Sequence, residues 1–384
     1  MEFLGYPRKD GSFGVRNYLV VMSTVSCANG VVEAICQAVP EAVPITHTEG
    51  CGRGPADLAI TNRTLLGLGK NPNVGAVLLI GLGCEFIRGD FLCGMIAQSQ
   101  KPAEYLLIQE QGGVRKCTEK GIERAKKLWG KIKDLKREPV SWKELTLGLE
   151  CGGSDAMSGV SANPVLGVAS DWIVEQGGRV ILSETTEMIG TEKILARRAK
   201  DEKTAEQILQ LIESQKQKAK QFLGAFAGLS ITPGNIEGGL SSIQEKSLGC
   251  IIKAGTSQIN QVVQYGEIPT EKGLVIMDTP GSDIFSMTGM VAGGAQLIAF
   301  TTGRGSPAGF PIAPVIKISS TSQLAEKMPD IIDFDAGKVL EGKNIEELGK
   351  ELVQLIQEVA NGKKTRAELN RQNLFAIHTT TPAF

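Results

Sequence analysis

Short apolar runs rich in Val and Ile alternate along the chain with longer segments whose apolar positions recur at helical spacing. Such runs, bounded by Gly and polar residues, mark strands buried on both faces, and their alternation with helices predicts mainly parallel sheets with helices on both faces. The strands expected are 18–22, 43–46, 76–80, 105–108, 146–149, 180–182, 250–253, 274–277, 296–300 and 315–318. Three helices are legible. In 115–137, Ile122, Ala125, Leu128, Trp129, Ile132 and Leu135 follow a 3.6-residue period; a second long helix spans 191–226; a third spans 345–360, with Asn344 as N-cap and Gly362 as the stop. The basic stretch 126–139, ending at Pro139, reads as a domain linker. The expected organisation is therefore α/β with two Rossmann-like subdomains, 1–139 and 140–384.

Composition sharpens this picture. With 384 residues the chain exceeds the usual size of one core. Its 46 glycines, about 12% against a usual ~7%, gather where strands end: IGLGCE at 80–85, LECGGSD at 149–155, LSETTE at 182–187, MDTPGSD at 277–283 and FTTGRGS at 300–306. In open α/β sheets ligands sit beyond the carboxyl ends of strands, so function is expected in these loops. Forty-one basic and 42 acidic side chains leave a net charge of −1, which excludes a whole-chain field for nucleic acid. No apolar run approaches a membrane span and the N-terminus has no apolar signal region, so no membrane association and a cytoplasmic location are expected. Eight cysteines are too sparse for a disulfide scaffold, and two histidines, His47 and His378, cannot build a three-His zinc site.

Two constellations carry chemistry. Cys27, Cys51, Cys84 and Cys151 each fall at a strand end or in a Gly-rich turn; a buried Cys is an ordinary small core residue, but four in equivalent places favour a role. His47 and Glu85 lie near them and are ligand types that suit Fe(II) or zinc. Glu150, Asp155, Glu184, Glu187, Glu245, Asp278 and Asp283 form a carboxylate set, with Lys246 beside Glu245 and Arg304 between two glycines as a candidate carboxylate clamp. No P-loop, complete dinucleotide fingerprint or G-x-S-x-G elbow is present.

In order along the chain, YPRKDGSFGVRN (6–17), EGCG (49–52), LLIGLGCE (78–85), LECGGSDAMSGVSANPVLG (149–167), GGRVILSETTEMIG (177–190), TPGNIEGGLSSIQEKSLG (232–249), GLVIMDTPGSD (273–283) and FTTGRGSPAG (300–309) resemble the altronate/galactarate dehydratase family over almost the whole length. The resemblance implies a lyase that dehydrates a sugar acid with Fe(II) or another divalent metal, or the related large subunit of (2R)-sulfolactate sulfo-lyase. It also implies a separate small subunit of the SAF type, since the chain starts almost directly at GYPRKDG. An iron–sulfur cluster is the alternative cofactor, and a non-catalytic binding or scaffold subunit the alternative role. A homo-oligomer is expected for an α/β enzyme of this size.

Dehydration next to a carboxylate needs charge stabilisation and a positioned base. On that reading Cys51, Cys84 and Cys151, with His47 or Glu85, lie nearest the metal, and Lys246 or Glu184 is the base with Glu245 orienting. Arg304, with Asp155, Asn163 and the backbone of Gly152, Gly153, Ser154, Gly238 and Gly239, holds the small sugar-acid or sulfonated hydroxy-acid substrate.

Overall fold

The apolar runs become strands with almost no exposed surface. A computed structural model describes residues 2–224 and 231–383. Its strands are β1 (Glu2–Pro7), β2 (Phe13–Gly14), β3 (Tyr18–Ser23), β4 (Ala42–Ile45), β5 (Val74–Gly81), β6 (Ala103–Leu107), β7 (Glu138–Ser141), β8 (Thr146–Cys151), β9 (Arg179–Leu182), β10 (Ile259–Val263), β11 (Gly273–Met277), β12 (Leu297–Thr302), β13 (Val315–Ser319) and β14 (Phe334–Asp335). Every residue of β5, β8, β11, β12 and β13 is buried. That burial is why these segments read as continuous apolar runs rather than as alternating ones.

Two parallel sheets result. The smaller has the order β4-β3-β5-β6 and the larger the order β10-β11-β9-β8-β12-β13-β14. The α/β class with mainly parallel sheets is thus as expected. In the small sheet the chain winds outward in both directions from the β3/β5 pair, and in the large sheet from the β8/β12 pair. These two reversals open the crevices in which α/β proteins bind ligands.

The sheets share a core. Leu65 and Leu68, from the helix Pro55–Lys70, are buried in one cluster with Met287, Met290 and Val291 from the helix Asp283–Ala292. Gly67 permits this approach: a Cβ there would lie 2.2 Å from the Ala292 carbonyl oxygen. Two buried asparagines complete the junction. Asn71 donates to the carbonyls of Val291 and Ala295, and Asn73 to those of Gln296 and Ile312, while the Asn73 side-chain oxygen accepts from the backbone of Val15 and Arg16.

Three expectations change. Residues 250–253 are not a strand: they close the helix Ile243–Ile251 and the following 3-10 turn Ile252–Ala254, started by Ser242, whose hydroxyl accepts from the Glu245 N–H. The strand in that region is β10. The long helix of 191–226 is two, Glu192–Ala196 and Glu202–Leu223, the second restarted by the Asp201 cap on Thr204, and residues 225–226 lie outside the described set. The linker is no free tether. Its helix ends at Ile132, and β7 pairs with β1, with Pro139 opposite Leu4 on the edge strand of the order β2-β1-β7, where a missing N–H is tolerated. The helix Ile345–Ala360 starts as expected, with Asn344 accepting from Glu346 and Glu347.

Asn73→Ala leaves two buried carbonyls and two buried N–H groups without partners, so a loss of at least about 2 kcal/mol is expected in urea unfolding. An unchanged midpoint would show that this side chain does not join the sheets.

Candidate active site

The β8/β12 crevice gathers ionisable groups around the carboxyl end of β8. Cys151 ends β8; Glu184 and Glu187 follow β9; Lys246, Cys250 and Lys253 come from the helix Ile243–Ile251 and its 3-10 extension, at spacing i, i+4, i+7 on one face. The Cys151 thiol donates to Glu187 Oε2 (2.9 Å) and lies 3.5 Å from Cys250 Sγ. The Lys253 ammonium donates to Glu184 Oε2 (2.5 Å) and to both sulfurs (3.1 Å each). Lys246 forms an ion pair with Glu187. Lys253 and Glu184 are fully buried, where an unpaired charge would be severely penalised.

Electrostatics follow from that burial. Desolvation works against the Lys253 cation, but the cysteines and the two glutamates outweigh it and raise its pKa well above the ordinary value. Lys246 behaves likewise: burial opposes its charge, and Glu187 with Cys151 raises its pKa. Burial, then the charge of Glu187, raises Glu184. Glu150, wholly buried beside Glu184, is raised furthest by desolvation and that neighbouring charge. With Glu150 and the Cys151 thiol protonated, two ammonium groups face the carboxylates of Glu184 and Glu187 and these charges cancel.

Backbone strain marks the centre. Glu184 is left-handed, at φ 63 and ψ 61, a geometry that costs a non-glycine residue about 1–3 kcal/mol. It is held by its N–H to Thr279 Oγ1 (2.7 Å) and by its carboxylate, which accepts from the Cys151 N–H (2.9 Å). Its second oxygen and both oxygens of Glu150 have no partner.

A cavity of about 440 Å³ opens beside this cluster, lined by Ser154, Asp155, Asn163, Glu245, Lys246 and Cys250 among others. Ser154 Oγ is buried there without a partner. Asp155 caps the next turn by accepting from Ser158, and Asn163 links Gly249 to Thr301. The structure therefore brings together five residues singled out from the sequence, Ser154, Asp155, Asn163, Glu245 and Lys246, with Glu184 one layer deeper.

Other assignments need correction. Lys246, held as a cation by Glu187, does not stand as a base; Glu245 does not orient it, because Glu245 is exposed and accepts from the N–H and hydroxyl of Ser241. The N–H groups of Gly152, Gly238 and Gly239 already donate to Thr301, Gly234 and Ile236, so they are not free for a substrate carboxylate. Their use is close approach: a Cβ on Gly152 would strike Asp283 and Phe300, and one on Gly238 would strike Asp155. Gly153 supplies a left-handed turn beside Arg304, which is half exposed and paired with Glu237 (2.8 Å).

The expected metal set also divides. Among the described residues, the metal-capable group with ligand atoms mutually within 4.8 Å is Cys151, Glu184, Glu187 and Cys250, which could hold a metal ion. His47 is no ligand: its Nε2 meets the Ser23 carbonyl and its Nδ1 accepts from the Glu49 N–H. Glu85 is occupied too, accepting from Thr24, Leu82 and Gly83. Cys51 and Cys84 lie exposed on the small sheet's loops, apart from Cys151. Cys250 and Lys253 were hidden by the strand reading of 250–253; a helix through EKSLGCIIK would have aligned them with Lys246.

Residues 142–383 match the D-galactarate/altronate dehydratase C-terminal model, and residues 5–133 match the D-galactarate dehydratase/altronate hydrolase second-domain model. The chain belongs to the D-galactarate/altronate dehydratase family. It is 36% identical over 384 residues to the altronate dehydratase of Escherichia coli, covering 97% of this chain and 76% of that protein. It is 36% identical to the galactarate dehydratase (L-threo-forming) of Escherichia coli, covering 94% and 73%. The (2R)-sulfolactate sulfo-lyase subunit beta of Chromohalobacter salexigens is 34% identical, covering 95% and 94%. The chain is thus an enzyme, a lyase, as the resemblance implied. No helix among the described residues is long and apolar enough to cross a membrane.

Behind the cluster, Lys317 lies 3.2 Å from the Phe300 ring centroid with its Nζ unpartnered. Burial lowers its pKa to about 7, against the pull of Asp283 and Glu150. Between about pH 7 and its ordinary value of 10.5 the unfolded chain carries a proton the folded one lacks, so stability rises with pH in that window, by up to about 1.4 kcal/mol per unit. Lys317→Met is expected to remove this slope when unfolding is measured across the window, and equal slopes in both proteins would contradict a buried neutral lysine.

Proposed function

We propose that this family member dehydrates a sugar acid, an aldonate or aldarate, at the cavity beside Lys246. The observation that carries the reading is a buried set of opposed acids and bases, Glu184, Glu187, Lys246 and Lys253, opening through Lys246 and Cys250 onto a cavity of mixed polar and apolar lining at the reversal point of the large sheet. In the proposed reaction Glu184, whose pKa is raised by burial and by Glu187, takes the proton from the carbon next to the carboxylate. Lys246, kept protonated by its ion pair with Glu187, supplies a proton to the departing β-hydroxyl, which leaves as water, and is reprotonated from solvent through the cavity. Ser154 Oγ, buried without a partner, binds a substrate hydroxyl, and Arg304, beside Gly153, is the proposed partner of a terminal carboxylate. The enol so formed becomes a 2-keto-3-deoxy acid.

Fe(II) or another divalent ion is the proposed cofactor. Donor type and spacing suit it: two thiols and two carboxylates lie within 4.8 Å of one another. The Lys253 ammonium touches three of these four residues, so ion and ammonium compete for one place. Cys151, Glu187 and Cys250 would hold the ion, leaving Glu184 as base. Such an ion supplies Lewis-acid stabilisation of charge on the carboxylate oxygens. A separate SAF-type small subunit is the proposed partner, supported by the match to 94% of a relative named as subunit beta.

The second reading is elimination of sulfite from sulfolactate, favoured by that same relative. Turnover of aldonates, aldarates and sulfolactate, with and without the small subunit, separates them: keto acid supports dehydration, and sulfite supports the rival. In the active assembly, Lys246→Met and Glu184→Gln are each expected to lower kcat by at least about 10²-fold, with Ser154→Ala raising KM instead. Full turnover by either of the first two variants would remove that residue from the mechanism.

A further inference from the structure

Two thiols meet in the large-sheet cluster, and the proposed chemistry uses them only as donor atoms. Cys151 ends β8 and Cys250 lies 99 residues further on, in the helix Ile243–Ile251, yet their sulfurs are 3.5 Å apart. A disulfide needs about 2.05 Å, so closing the bond asks for an approach of about 1.5 Å between two side chains.

The backbones that carry the pair are held in place. The Cys151 N–H donates to Glu184 Oε2 (2.9 Å) and the Gly152 N–H to the Thr301 carbonyl (3.1 Å), which pins the end of β8. On the other side the Asn163 side chain donates to the carbonyl of Gly249 (2.9 Å), the residue before Cys250. Gly249 in turn packs on Gly159: a Cβ on Gly159 would lie 3.1 Å from the Gly249 Cα, and one on Gly249 3.2 Å from the Gly159 Cα. That contact of two bare backbones seats the helix of Cys250 on the turn Ala156–Gly159 that follows β8. The fold therefore keeps the two sulfurs together.

A buried cysteine in apolar surroundings is an inert core residue. This pair has different neighbours. The Lys253 ammonium lies 3.1 Å from each sulfur, and Glu187 Oε2 accepts from the Cys151 thiol (2.9 Å). A cation touching both sulfurs, with an acceptor for a thiol proton, is the setting in which thiols react. Small reagents have a route in, because Cys250 forms part of the wall of the cavity of about 440 Å³.

We propose that Cys151 and Cys250 are a redox pair whose reversible disulfide switches the large-sheet site off. The oxidant is a peroxide that enters the cavity. The Cys250 sulfur attacks one peroxide oxygen, the O–O bond breaks, and the departing oxygen takes the thiol proton and leaves as water, so Cys250 becomes a sulfenic acid. The Cys151 sulfur then displaces that hydroxyl: the S–S bond forms, the S–O bond breaks, and a second water carries off the Cys151 proton. Two thiols give up two electrons and the peroxide gains them. A low-molecular-weight thiol reverses the bond by exchange at the cavity-facing Cys250 sulfur. In the disulfide neither sulfur remains a thiolate donor, and Glu187 loses the hydrogen bond it accepts from Cys151. The loss of turnover that follows rests on the dehydration reading, whereas the bond itself does not.

The test is peptide mapping of the full, metal-free chain after exposure to a small excess of hydrogen peroxide and alkylation under denaturing conditions. The peptides of Cys151 and Cys250 are expected joined, two hydrogens lighter than their sum, and separated again by dithiothreitol. Cys151→Ser should leave Cys250 as a sulfenic acid that dimedone labels, and Cys250→Ser should leave Cys151 open to alkylation, with circular dichroism confirming that each variant folds. In the active assembly the oxidised protein should lose most of its turnover and recover it with dithiothreitol. Both cysteines still alkylated after peroxide, either one joined to a different cysteine, or a joined pair with unchanged turnover would overturn the proposal. A reduced assembly that turns over no acid counts against the dehydration reading, and the linkage is read from the peptides in either case.

Discussion

Two lysine ammonium groups, on one short helix and its 3-10 extension, neutralise a buried pair of glutamates, and the architecture of the large sheet depends on that balance. Without Lys246 and Lys253 the carboxylates of Glu184 and Glu187 would be unpaired charges at the end of a sheet whose strands expose almost nothing. Breaking one such pair costs about 3–5 kcal/mol, comparable to much of a domain's net stability. The helix Ile243–Ile251 must therefore dock where it does. Glu184 must adopt its left-handed backbone so that its N–H reaches Thr279 and its carboxylate reaches Lys253. The desolvation is the same feature that leaves Glu184 with a raised pKa one layer beneath the cavity.

The fold supplies the place and the local sequence supplies the chemistry. Both parallel sheets reverse direction once, and at each reversal the strand ends part to admit loops. In the large sheet those loops carry carboxylates, thiols and ammonium groups that cancel one another; in the small sheet they carry three exposed thiols beneath three helix N-termini. The shared core of Leu65, Leu68, Met287 and Met290, closed by Gly67 and stitched by Asn71 and Asn73, holds the sheets together.

Much of this was legible in the sequence, for identifiable reasons. Continuous apolar runs closed by Gly and polar residues read as strands buried on both faces, and the Gly-rich segments after them marked both crevices. Ser154, Asp155, Asn163 and Lys246, expected at the site from the sequence, fall together at the cavity because strand-end loops and the EKS motif line it. Cys250 and Lys253 were missed because Cys-Ile-Ile-Lys has the composition of a strand, and the Ser242 cap eight residues upstream was the signal for a helix. His47 and Glu85 looked like ligands because their residue types allow it, and only their hydrogen bonds to Ser23, Glu49, Thr24 and Gly83 show them engaged. Nothing in linear spacing could show that Cys151 belongs with Cys250 and not with Cys51 and Cys84, because each group is assembled by a different sheet.

The central claim is that the sugar acid is processed beside Lys246 at the β8/β12 crevice. A crystal structure of the Glu184→Gln variant soaked with the acid it turns over most slowly tests this directly. The account predicts the acid in the cavity lined by Ser154, Asp155, Asn163 and Lys246, with its reacting carbon toward residue 184. Density for the acid elsewhere, for instance in the larger cavity of about 930 Å³ formed by Arg63, Lys218, Asp278 and His378, with the Lys246 cavity empty, would contradict it.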